Sequence, residues 1–469
     1  MEKTGILVVS YGSREAAMVD AFARSQNYDV ELYIADKQRN PFNLKAATKH
    51  VVIPDLNIQE ICKFAKTNKD RIDFGIVGPE KPIIEGVRDL VEKVTGIPMI
   101  CPTQECAIEE SKVKQRLLFQ EIVPDVNPRF KIFNPKDFGS TADAKKAVHR
   151  WLDELHNLAV VKPDKPVAGK GVGVWGDHFN TREQLFDHFL SSFQHGSVII
   201  EEKIEGEESS FQALCDGKHL IPLPDTRDYK RAFDNDKGPN TGGMGSYKNT
   251  GDVLPFLNAY ERGKEEEIVS KIFNKWKLES NTGLKGVPLY MAFMHAGKHP
   301  KILENNSRPG DPEIMNILPI LKDDFIDVCF KILESNLNKI ELEKTATVVT
   351  YKVPSAYGGY AETHPTLVDK TEIDKPVDLS KAYELSKKYR DRIRIYPGSM
   401  EQRNSKIYAL KSRTVAVVGI GANIENARQI SLEGIDAIKG GALWNRTDIA
   451  SEQHIEASEK HMETLRRKQ

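Results

Sequence analysis

The segment 303–313 carries the residue types best suited to a metal and phosphate site. It reads Leu-Glu-Asn-Asn-Ser-Arg-Pro-Gly-Asp-Pro-Glu. Glu304 and Asn306 are two residues apart, so on a β-strand both side chains leave the same face. A carboxylate and an amide oxygen, without imidazole or thiolate, suit Mg²⁺ or Mn²⁺ bridged to nucleotide phosphates. Arg308 and Asp311 follow on a turn that the Pro-Gly pair favours, which predicts a cation and a carboxylate beside the metal. The alternative is a strand end followed by an ordinary polar turn.

A second segment, 237–247, is rich in glycine. It reads Lys-Gly-Pro-Asn-Thr-Gly-Gly-Met-Gly-Ser-Tyr, with four glycines within eight residues. So much glycine is costly inside a helix or strand, and it predicts a loop. A flexible linker is the alternative, but linkers are mostly plain Gly and Ser. We expect a loop that folds over a substrate and presents its backbone groups, built from Asn240, Thr241, Gly242, Gly243, Met244 and Gly245.

Three lysines precede Glu304 and Asn306 along the chain. They are Lys112, Lys162 and Lys170, and the last is flanked by Gly169 and Gly171 in a predicted glycine hairpin. That hairpin lacks the GxxxxGK[ST] spacing of a Walker motif. A single lysine is usually a solvated surface residue, but three in strand or glycine contexts predict a site for the phosphates of ATP.

The strand predicted at 197–202 supplies the other half of a nucleotide site. Glu201, Glu202 and Ile204 lie where the chain leaves this strand, so their backbone groups can pair with adenine. Glu208 follows and is placed to reach the ribose hydroxyls.

Residues 1–103 predict an open parallel α/β domain. Short apolar runs predict buried strands at 5–9, 30–34, 51–53, 74–77 and 98–101. In such sheets ligands bind at the carboxyl ends of the strands. The residues at that predicted edge are Arg14, Glu15, Gly78, Pro79 and Glu80. The first turn has no GxGxxG, which disfavours a nicotinamide-binding domain.

The rest of the chain predicts alternating elements. Helices are expected at 107–118, 261–276 and 450–469, and strands at 158–163, 209–215, 346–353 and 413–418. The last helix is strongly charged and is expected to be solvated.

Composition describes an ordinary globular protein. The chain has 469 residues, 39% hydrophobic and 29% charged, with a formal net charge of −1. This length predicts about two to four domains, and the charge predicts no general attraction to nucleic acid or membranes. The five cysteines form no CxxC pair and the first residues form no signal peptide. We expect a cytoplasmic monomer or dimer that acts on small molecules.

These segments together resemble the glycinamide ribonucleotide synthetase family of ATP-grasp enzymes in purine biosynthesis. The matches run along nearly the whole chain, at 76–80, 110–112, 168–172, 201–202, 206–209, 238–245, 308, 310–313, 446 and 448–449. The Gly-Pro-Asn-Thr-Gly-Gly-Met-Gly and Gly-Asp-Pro-Glu segments, in this order and separation, are highly specific to that family.

The resemblance implies a mixed α/β ATP-grasp fold. Its parts are an N-terminal open parallel α/β domain at 1–103, an ATP-grasp domain at 104–340 with a mobile lid at about 124–203, a C-terminal β-rich domain at 341–449 and a charged terminal helix at 450–469. It also implies a reaction in which ATP phosphorylates glycine to glycyl phosphate. The amine of 5-phosphoribosylamine then attacks, and phosphate leaves.

The resemblance also assigns side chains to each substrate. Arg14, Glu15 and Glu80 would face phosphoribosylamine. The Gly-rich loop, with Asp228 and Lys230, would lie on the glycine side.

Arg308 would pair with acyl or phosphoryl oxygens through two hydrogen bonds. The family's Asp-His-Lys-Arg is Asp-Tyr-Lys-Arg at 228–231, and its opening turn Gly-x-Gly-Gly-Arg-Glu is Ser-Tyr-Gly-Ser-Arg-Glu at 10–15. Two alternatives stay open: a ligase for another amine or acid, and a nucleotide-binding regulator without turnover. The retained Glu304 and Asn306 argue against the regulator.

Overall fold

A computed structural model describes residues 1–166, 171–280, 284–297 and 299–468. With elements numbered in chain order, the first part is a parallel sheet of order β3-β2-β1-β4-β5. Its strands are β1 (Glu2–Ser10), β2 (Tyr28–Asp36), β3 (Lys49–Val52), β4 (Phe74–Val77) and β5 (Met99–Ile100). Its helices are α1 (Ser13–Ala23), α2 (Pro41–Ala46), α3 (Ile58–Thr67), α4 (Glu80–Ile84) and α5 (Val87–Thr95).

Strand β1 is apolar at residues 6–9, where both faces of the sheet are covered. Ile6 and Val8 enter one core with α1, while Leu7 and Val9 enter another with α3 and α5. This pattern is typical of parallel sheets. The predicted open parallel domain is confirmed, and the edge at which we expect a ligand lies at the carboxyl ends of β1 and β4.

Helix α6 (Lys112–Ile122) leads into a small antiparallel sheet of order β6-β9-β7-β8. The strands are β6 (Phe130–Phe133), β7 (Ala159–Pro163), β8 (Gly173–Val174) and β9 (Val198–Glu202). Helices α7 (Thr141–Glu154) and α8 (Arg182–Phe193) pack on it through an aromatic core. We call this unit the lid.

The helix predicted at 107–118 is wrong at its start. α6 begins at Lys112 because the hydroxyl of Ser111 accepts the backbone N–H of Lys114 and caps the helix. Of the hairpin predicted at 167–174, residues 167–170 lie outside the described residues.

The third sheet is antiparallel, with order β11-β10-β16-β17. Its strands are β10 (Glu207–Asp216), β11 (Leu220–Pro222), β16 (Lys285–His295) and β17 (Pro300–Asn306). Helix α9 (Ala259–Ser280) packs on one side of it, and α10 (Phe325–Leu333) lies between this sheet and the parallel sheet.

The C-terminal sheet has the order β12-β15-β18-β22-β19, with β23 paired to β18. Its strands are β12 (Arg227–Asp228), β15 (Gly245–Lys248), β18 (Ala346–Pro354), β19 (Ile393–Pro397), β22 (Val415–Gly421) and β23 (Leu443–Trp444). Two hairpins accompany it, β13 (Arg231–Phe233) with β14 (Lys237–Asn240) and β20 (Met400–Arg403) with β21 (Lys406–Ala409). The helices are α11 (Tyr360–Thr363), α12 (Ser380–Lys388), α13 (Ile424–Asp436) and α14 (Glu452–Arg467).

The composition predicted that the Gly-rich segment is a loop throughout. In the structure, both of its ends lie in strands. Asn240 ends β14 opposite Arg231, and Gly245 begins β15. Position 245 requires glycine because an added Cβ would lie 2.4 Å from the carbonyl oxygen of Val349. Close approach of two strands, rather than chain reversal, explains that glycine.

The charged terminal helix forms as α14, but it is not solvated on all sides. Arg466 pairs with Glu261 at 2.7 Å, and His461 lies 2.6 Å from Glu207. None of the helices in the described ranges has the length and apolar character needed to cross a membrane.

Candidate active site

Glu304 and Asn306 lie on strand β17 at the edge of the third sheet. Across the ladder to β16, Glu304 is opposite Ala292 and Asn306 is opposite Tyr290. Asn306 Nδ2 lies 3.4 Å from Glu304 Oε1. The two side chains therefore share one face, as alternation along a strand requires.

Four cations surround the Glu304 carboxylate. Burial by itself raises the pKa of Glu304, but Lys230, Lys112, Lys162 and Arg308 hold it below its usual range. In the described part of the chain, no group of three or more His, Cys, Asp or Glu could hold a metal by itself. A hard cation at this carboxylate and amide pair would take its other ligands from phosphate and water, which is how Mg²⁺ binds at nucleotide sites.

Arg308 is held between two carboxylates. Its Nη2 lies 3.2 Å from Glu109 Oε1 and its Nε lies 3.4 Å from Glu80 Oε2. The backbone N–H of Ser307 donates to Glu109 at 3.0 Å. Glu80 begins α4 directly after Pro79, which occupies the N-cap position. The guanidinium thus ties the ligand edge of the parallel sheet to the end of β17.

Asp311 is engaged by the C-terminal sheet. Its carboxylate accepts Arg413 Nη2 at 2.9 Å and the Tyr351 hydroxyl at 2.6 Å. Arg413 Nη1 also donates to the carbonyl oxygen of Gly242 at 2.6 Å. Burial alone raises the pKa of Asp311, but Arg413 and Arg14 keep it below its usual range. Asp311 therefore anchors Arg413 close to the end of β17.

Arg14 and Glu15 build the turn after β1. The Glu15 carboxylate accepts the N–H groups of Tyr11 at 3.1 Å and Gly12 at 2.8 Å, and Arg14 Nε at 2.6 Å. The two side chains are 2% and 1% exposed. Gly78, after β4, must lack a side chain because an added Cβ would lie 1.8 Å from Glu15 Oε1. Glu15 therefore joins the carboxyl ends of β1 and β4.

Lys162 and Glu201 pair at the inner face of the lid. Glu201 lies 2.7 Å from Lys162 Nζ and accepts two hydrogen bonds from Arg116, at 2.6 and 2.9 Å. Arg116 also donates to the carbonyl oxygens of Ile302 and Leu303 at 3.0 and 2.7 Å. Burial raises the pKa of Glu201 by itself, but Arg116 and Lys162 lower it to about 2. Arg116 thus joins lid strand β9 to β17.

Of the remaining predicted nucleotide residues, Glu202 ends β9 and Ile204 lies in the connection to β10. Ile204 is half-buried there. The Glu202 carboxylate accepts the backbone N–H of Arg129, the residue before β6, at 2.9 Å. Lys112 is half-buried at the start of α6. Gly171 has φ 93°, a left-handed conformation that favours glycine. Gly169 and Lys170 lie outside the described residues.

Lys230 lies near both Glu304 and Asp228, since both carboxylates favour its charged form and raise its pKa. Lys230 Nζ forms an ion pair with Glu208, which the sequence placed at the ribose. Burial and the Glu313 carboxylate raise the pKa of Asp228, while Lys230 opposes them. Asp228 Oδ1 is buried and accepts no hydrogen bond from the described residues. An added Cβ at Gly243 would lie 2.7 Å from this oxygen, so the glycine lets the loop pass directly over the carboxylate.

Backbone contacts hold the loop in place. The N–H of Thr241 donates to the carbonyl oxygen of Lys230 at 2.7 Å, and the N–H of Gly242 donates to the Tyr357 hydroxyl at 3.1 Å. Met244 is fully buried. The loop is therefore anchored at both ends beside Lys230.

Sequence reasoning missed Glu109, Arg116 and Arg413. Each is a single charged residue outside a motif and contacts a segment far away in the chain, so its spacing carried no signal. Glu313 lies in the Gly-Asp-Pro-Glu segment, and that motif was the available signal for it. Its Oε1 accepts the Tyr290 hydroxyl at 2.8 Å.

Comparisons with known proteins agree along the chain. The family profile described as phosphoribosylglycinamide synthetase, N domain, matches residues 4–110, and that of its ATP-grasp (A) domain matches residues 128–314. A phosphoribosylamine–glycine ligase from Methanocella arvoryzae is 34% identical over 98% of this chain and 99% of its own length. One from Methanococcus maripaludis is 36% identical, covering 95% of this chain and 96% of that protein.

Solved structures share the fold. The phosphoribosylamine–glycine ligase of Thermotoga maritima superposes with a TM-score of 0.72 at 23% identity, covering 95% of this chain and all of that one (100%). The biotin carboxylase domain of the Hydrogenobacter thermophilus 2-oxoglutarate carboxylase, solved with MgADP and bicarbonate, gives 0.66 at 13% identity and covers 99% of this chain and 98% of its own.

Proposed function

Because this chain belongs to the phosphoribosylglycinamide synthetase family, we propose that it joins glycine to 5-phosphoribosylamine in purine biosynthesis, forming glycinamide ribonucleotide, ADP and phosphate from ATP. One observation of the site carries the proposal. The Glu304 carboxylate, beside Asn306, stands among cations from four separate segments: Lys112, Lys162, Lys230 and Arg308. Such a site suits a triphosphate with its divalent cation.

The chemistry needs two transfers, because the carboxylate of glycine is a poor electrophile. A carboxylate oxygen attacks the γ-phosphorus of ATP, the bond to the ADP oxygen breaks, and glycyl phosphate forms. The amine of phosphoribosylamine then attacks the carbonyl carbon, the bond to phosphate breaks, and the nitrogen loses a proton. Neither step needs a covalent protein intermediate, so positioning and charge neutralisation supply the catalysis.

The phosphate side of the site is assigned to the cations around β17. Lys112, Lys162 and, by the resemblance, Lys170 would neutralise the phosphates, and Arg308 would stabilise the oxygens of the transferred group. Mg²⁺, or Mn²⁺ in its place, held by Glu304 and Asn306 would add Lewis-acid stabilisation of the same oxygens. That Glu304 remains ionised supports this assignment.

The glycine side is assigned to Asp228 and the loop above it. Asp228 Oδ1 is buried and without a hydrogen-bond donor among the described residues, so the ammonium group of glycine would supply one. Lys230 lies beside it, already paired with Glu208. A carboxylate and an ammonium side by side suit a small zwitterion, which favours an amino acid over a simple acid.

The phosphoribosylamine side is assigned to the edge of the parallel sheet. Glu80, 39% exposed, can reach a ligand at the carboxyl end of β4, while Arg308 steadies it. Arg14 and Glu15 would hold the turn after β1, whose backbone groups would contact the ligand. We infer a cytoplasmic monomer or dimer, which the five free, buried cysteines support.

Phosphate release tests the function. Purified protein should release phosphate only when ATP, a divalent cation, glycine and freshly generated phosphoribosylamine are all present. Each component is omitted in turn, and alanine and serine replace glycine in parallel reactions. Equal release with another amino acid would identify a related ligase. ATP binding without any release would identify a regulator instead.

A further inference from the structure

The segment that carries Asp228 and Lys230 has two different faces. The side chains of these two residues lie in the active site, whereas those of Arg227 and Tyr229, which alternate with them, contact the end of the chain. The adjoining strand β10 alternates in the same way. Glu208 pairs with Lys230 in the site, and Glu207 pairs with Arg227 behind it.

Helix α14 contacts Arg227 directly through Ser458 and indirectly through His461, which contacts the Glu207 carboxylate. Arg227 Nη1 donates to the Ser458 hydroxyl at 3.2 Å and forms an ion pair with Glu207. His461 Nδ1 lies 2.6 Å from the other oxygen of Glu207. Burial alone raises the pKa of Glu207, but Arg227 and the hydrogen bonds from His461 and Ser458 lower it below its usual range. The carboxylate therefore stays charged between strand and helix.

Tyr229 is enclosed by the segment just before and within α14. Its hydroxyl accepts the backbone N–H of Ala450 at 3.0 Å. Its ring lies nearly parallel to His454, with centroids 5.9 Å apart and planes at 16°, and the guanidinium of Arg446 lies 5.1 Å from the ring centroid. Tyr229 is 3% exposed. These contacts fix the one residue between Asp228 and Lys230.

Arg446 also contacts the backbone of the segment that carries Asp228 and Lys230. Its Nη1 donates to the carbonyl oxygen of Arg231 at 3.0 Å. Asp448 accepts two hydrogen bonds from Arg446, both at 2.8 Å, and lies 3.1 Å from His454 Nε2. Arg446 is fully buried, so this network is rigidly placed.

We propose that residues 446–461 position the active site from behind, and that Tyr229, His454 and Arg446 are positioning residues that hold Asp228 and Lys230 against glycine. The proposal rests on the proposed function, since it concerns the glycine side of that site. A small displacement matters because Gly243 lies directly against Asp228, with room for no side chain. Misplacing a binding group by about 1 Å can cost on the order of 10²-fold in rate.

The test uses Tyr229→Phe, which removes the hydroxyl and keeps the ring, and His454→Ala, which removes the stacked partner. Lys460→Ala is the matched control, since Lys460 lies on the same helix, is 75% exposed and pairs only with Glu456 in the ion pairs of the described residues. Each variant is assayed in the full-length protein for the KM of glycine, the KM of ATP and the thermal unfolding midpoint.

We expect the KM of glycine to rise about 5- to 20-fold in both variants, with the KM of ATP within about twofold, because ATP is held from β7, β17 and α6. The control should match the wild type. A lower unfolding midpoint with unchanged glycine KM would make the contacts merely structural and overturn the proposal. Equal rises in both KM values would overturn it as well.

Hydrogen exchange supplies a readout that does not depend on turnover. Amides at 227–231 should exchange faster in His454→Ala than in the wild type, while amides of β17 stay unchanged. Unchanged exchange at 227–231 would overturn the proposal. If His454→Ala does not fold, His454→Phe, which keeps a ring and loses the contact with Asp448, takes its place. If wild-type protein fails with glycine but uses another amino acid, the proposed function fails, and the same KM comparison with that amino acid still decides the positioning role.

Discussion

At the scale of single residues, the charge of Glu304 is decided by its surroundings. A half-buried carboxylate would ordinarily be protonated more easily, yet nearby lysines and Arg308 lower the pKa of Glu304. Its neighbour Asn306 adds a neutral oxygen and no proton. A divalent cation bound by this carboxylate and amide would keep open coordination positions for phosphate oxygens.

Replacing either residue should therefore remove activity and leave the fold. Glu304→Gln and Asn306→Ala should lower kcat by about 10²-fold or more, the scale for losing one preorganised charge-stabilising group. Lys301→Ala, on the same strand, is the control, because the Lys301 ammonium group donates only to the carbonyl oxygen of Asp125 among the side-chain hydrogen bonds of the described residues. Circular dichroism should be unchanged in all three. Near-normal turnover of the Glu304 variant at saturating Mg²⁺ would show that the pair only ends a strand.

At the scale of elements, the lid is joined to the active site by buried charge. Arg116 of α6 contacts Glu201 of β9 and the backbone of β17 together. Breaking a buried pair by removing one partner leaves the other charge uncompensated, which costs about 3–5 kcal/mol. Lys162 stays beside Glu201 and softens that loss.

Arg116→Met should accordingly lower the thermal unfolding midpoint and raise the KM of ATP, because the inner face of the lid loses its tie to β17. Arg129→Met is a matched control, since Arg129 pairs with Glu154 at the surface, where both side chains are more than half exposed. Exposed pairs of this kind contribute about 0–1 kcal/mol. Equal midpoints for the two variants would contradict the role given to Arg116.

Closure of the lid should depend on phosphate. ATP brings negative charge to Lys112, Lys162 and Lys170 at once, and a ligand shifts a conformational equilibrium only through such differential contacts. MgATP should therefore protect amides in residues 159–174 from hydrogen exchange, and adenosine should protect them far less. The same protection with both ligands at saturation would show that adenine, rather than phosphate, drives closure.

At the scale of the whole molecule, the C-terminal sheet completes the site. Arg413, beside β22, reaches Asp311 in the turn that follows β17 and Gly242 of the loop. The same sheet contains the buried Lys248 and the half-buried Lys352. Burial lowers the pKa of Lys248 and of Lys352 from 10.5 to about 8. Folding therefore favours their neutral forms.

This predicts a pH dependence of stability. The cost of burying these lysines is absent above about pH 10.5, where they are neutral in both states, and it grows as pH falls from 10.5 to about 8, because only the unfolded lysines bind protons in that range. Between about pH 10 and 8, the unfolding midpoint of the wild type should therefore fall relative to that of a Lys248→Met/Lys352→Met variant. The difference between the two proteins cancels the contribution of other groups. A constant difference over this range would show that neither lysine titrates there.

The sequence by itself determined what depends on local spacing. The apolar runs around β1 and β4 predicted a parallel sheet because strands buried on both faces must be apolar throughout. Alternation placed Glu304 and Asn306 on one face because the period of a strand is two. The helix over 261–276 followed from its apolar stripe and is seen as α9.

Only the tertiary structure decided which distant groups meet. Folding brings Glu208, which the sequence assigned to the ribose hydroxyls, beside Lys230, and it brings Asp311 beside Arg413, 102 residues away. Gly245 was part of the predicted loop. In the structure, its missing side chain allows β15 to lie close to β18. A charged helix such as α14 reads as solvated because its partner Glu207 lies 254 residues earlier. Charge pairing has no period along the chain, so it is settled only when the chain is folded.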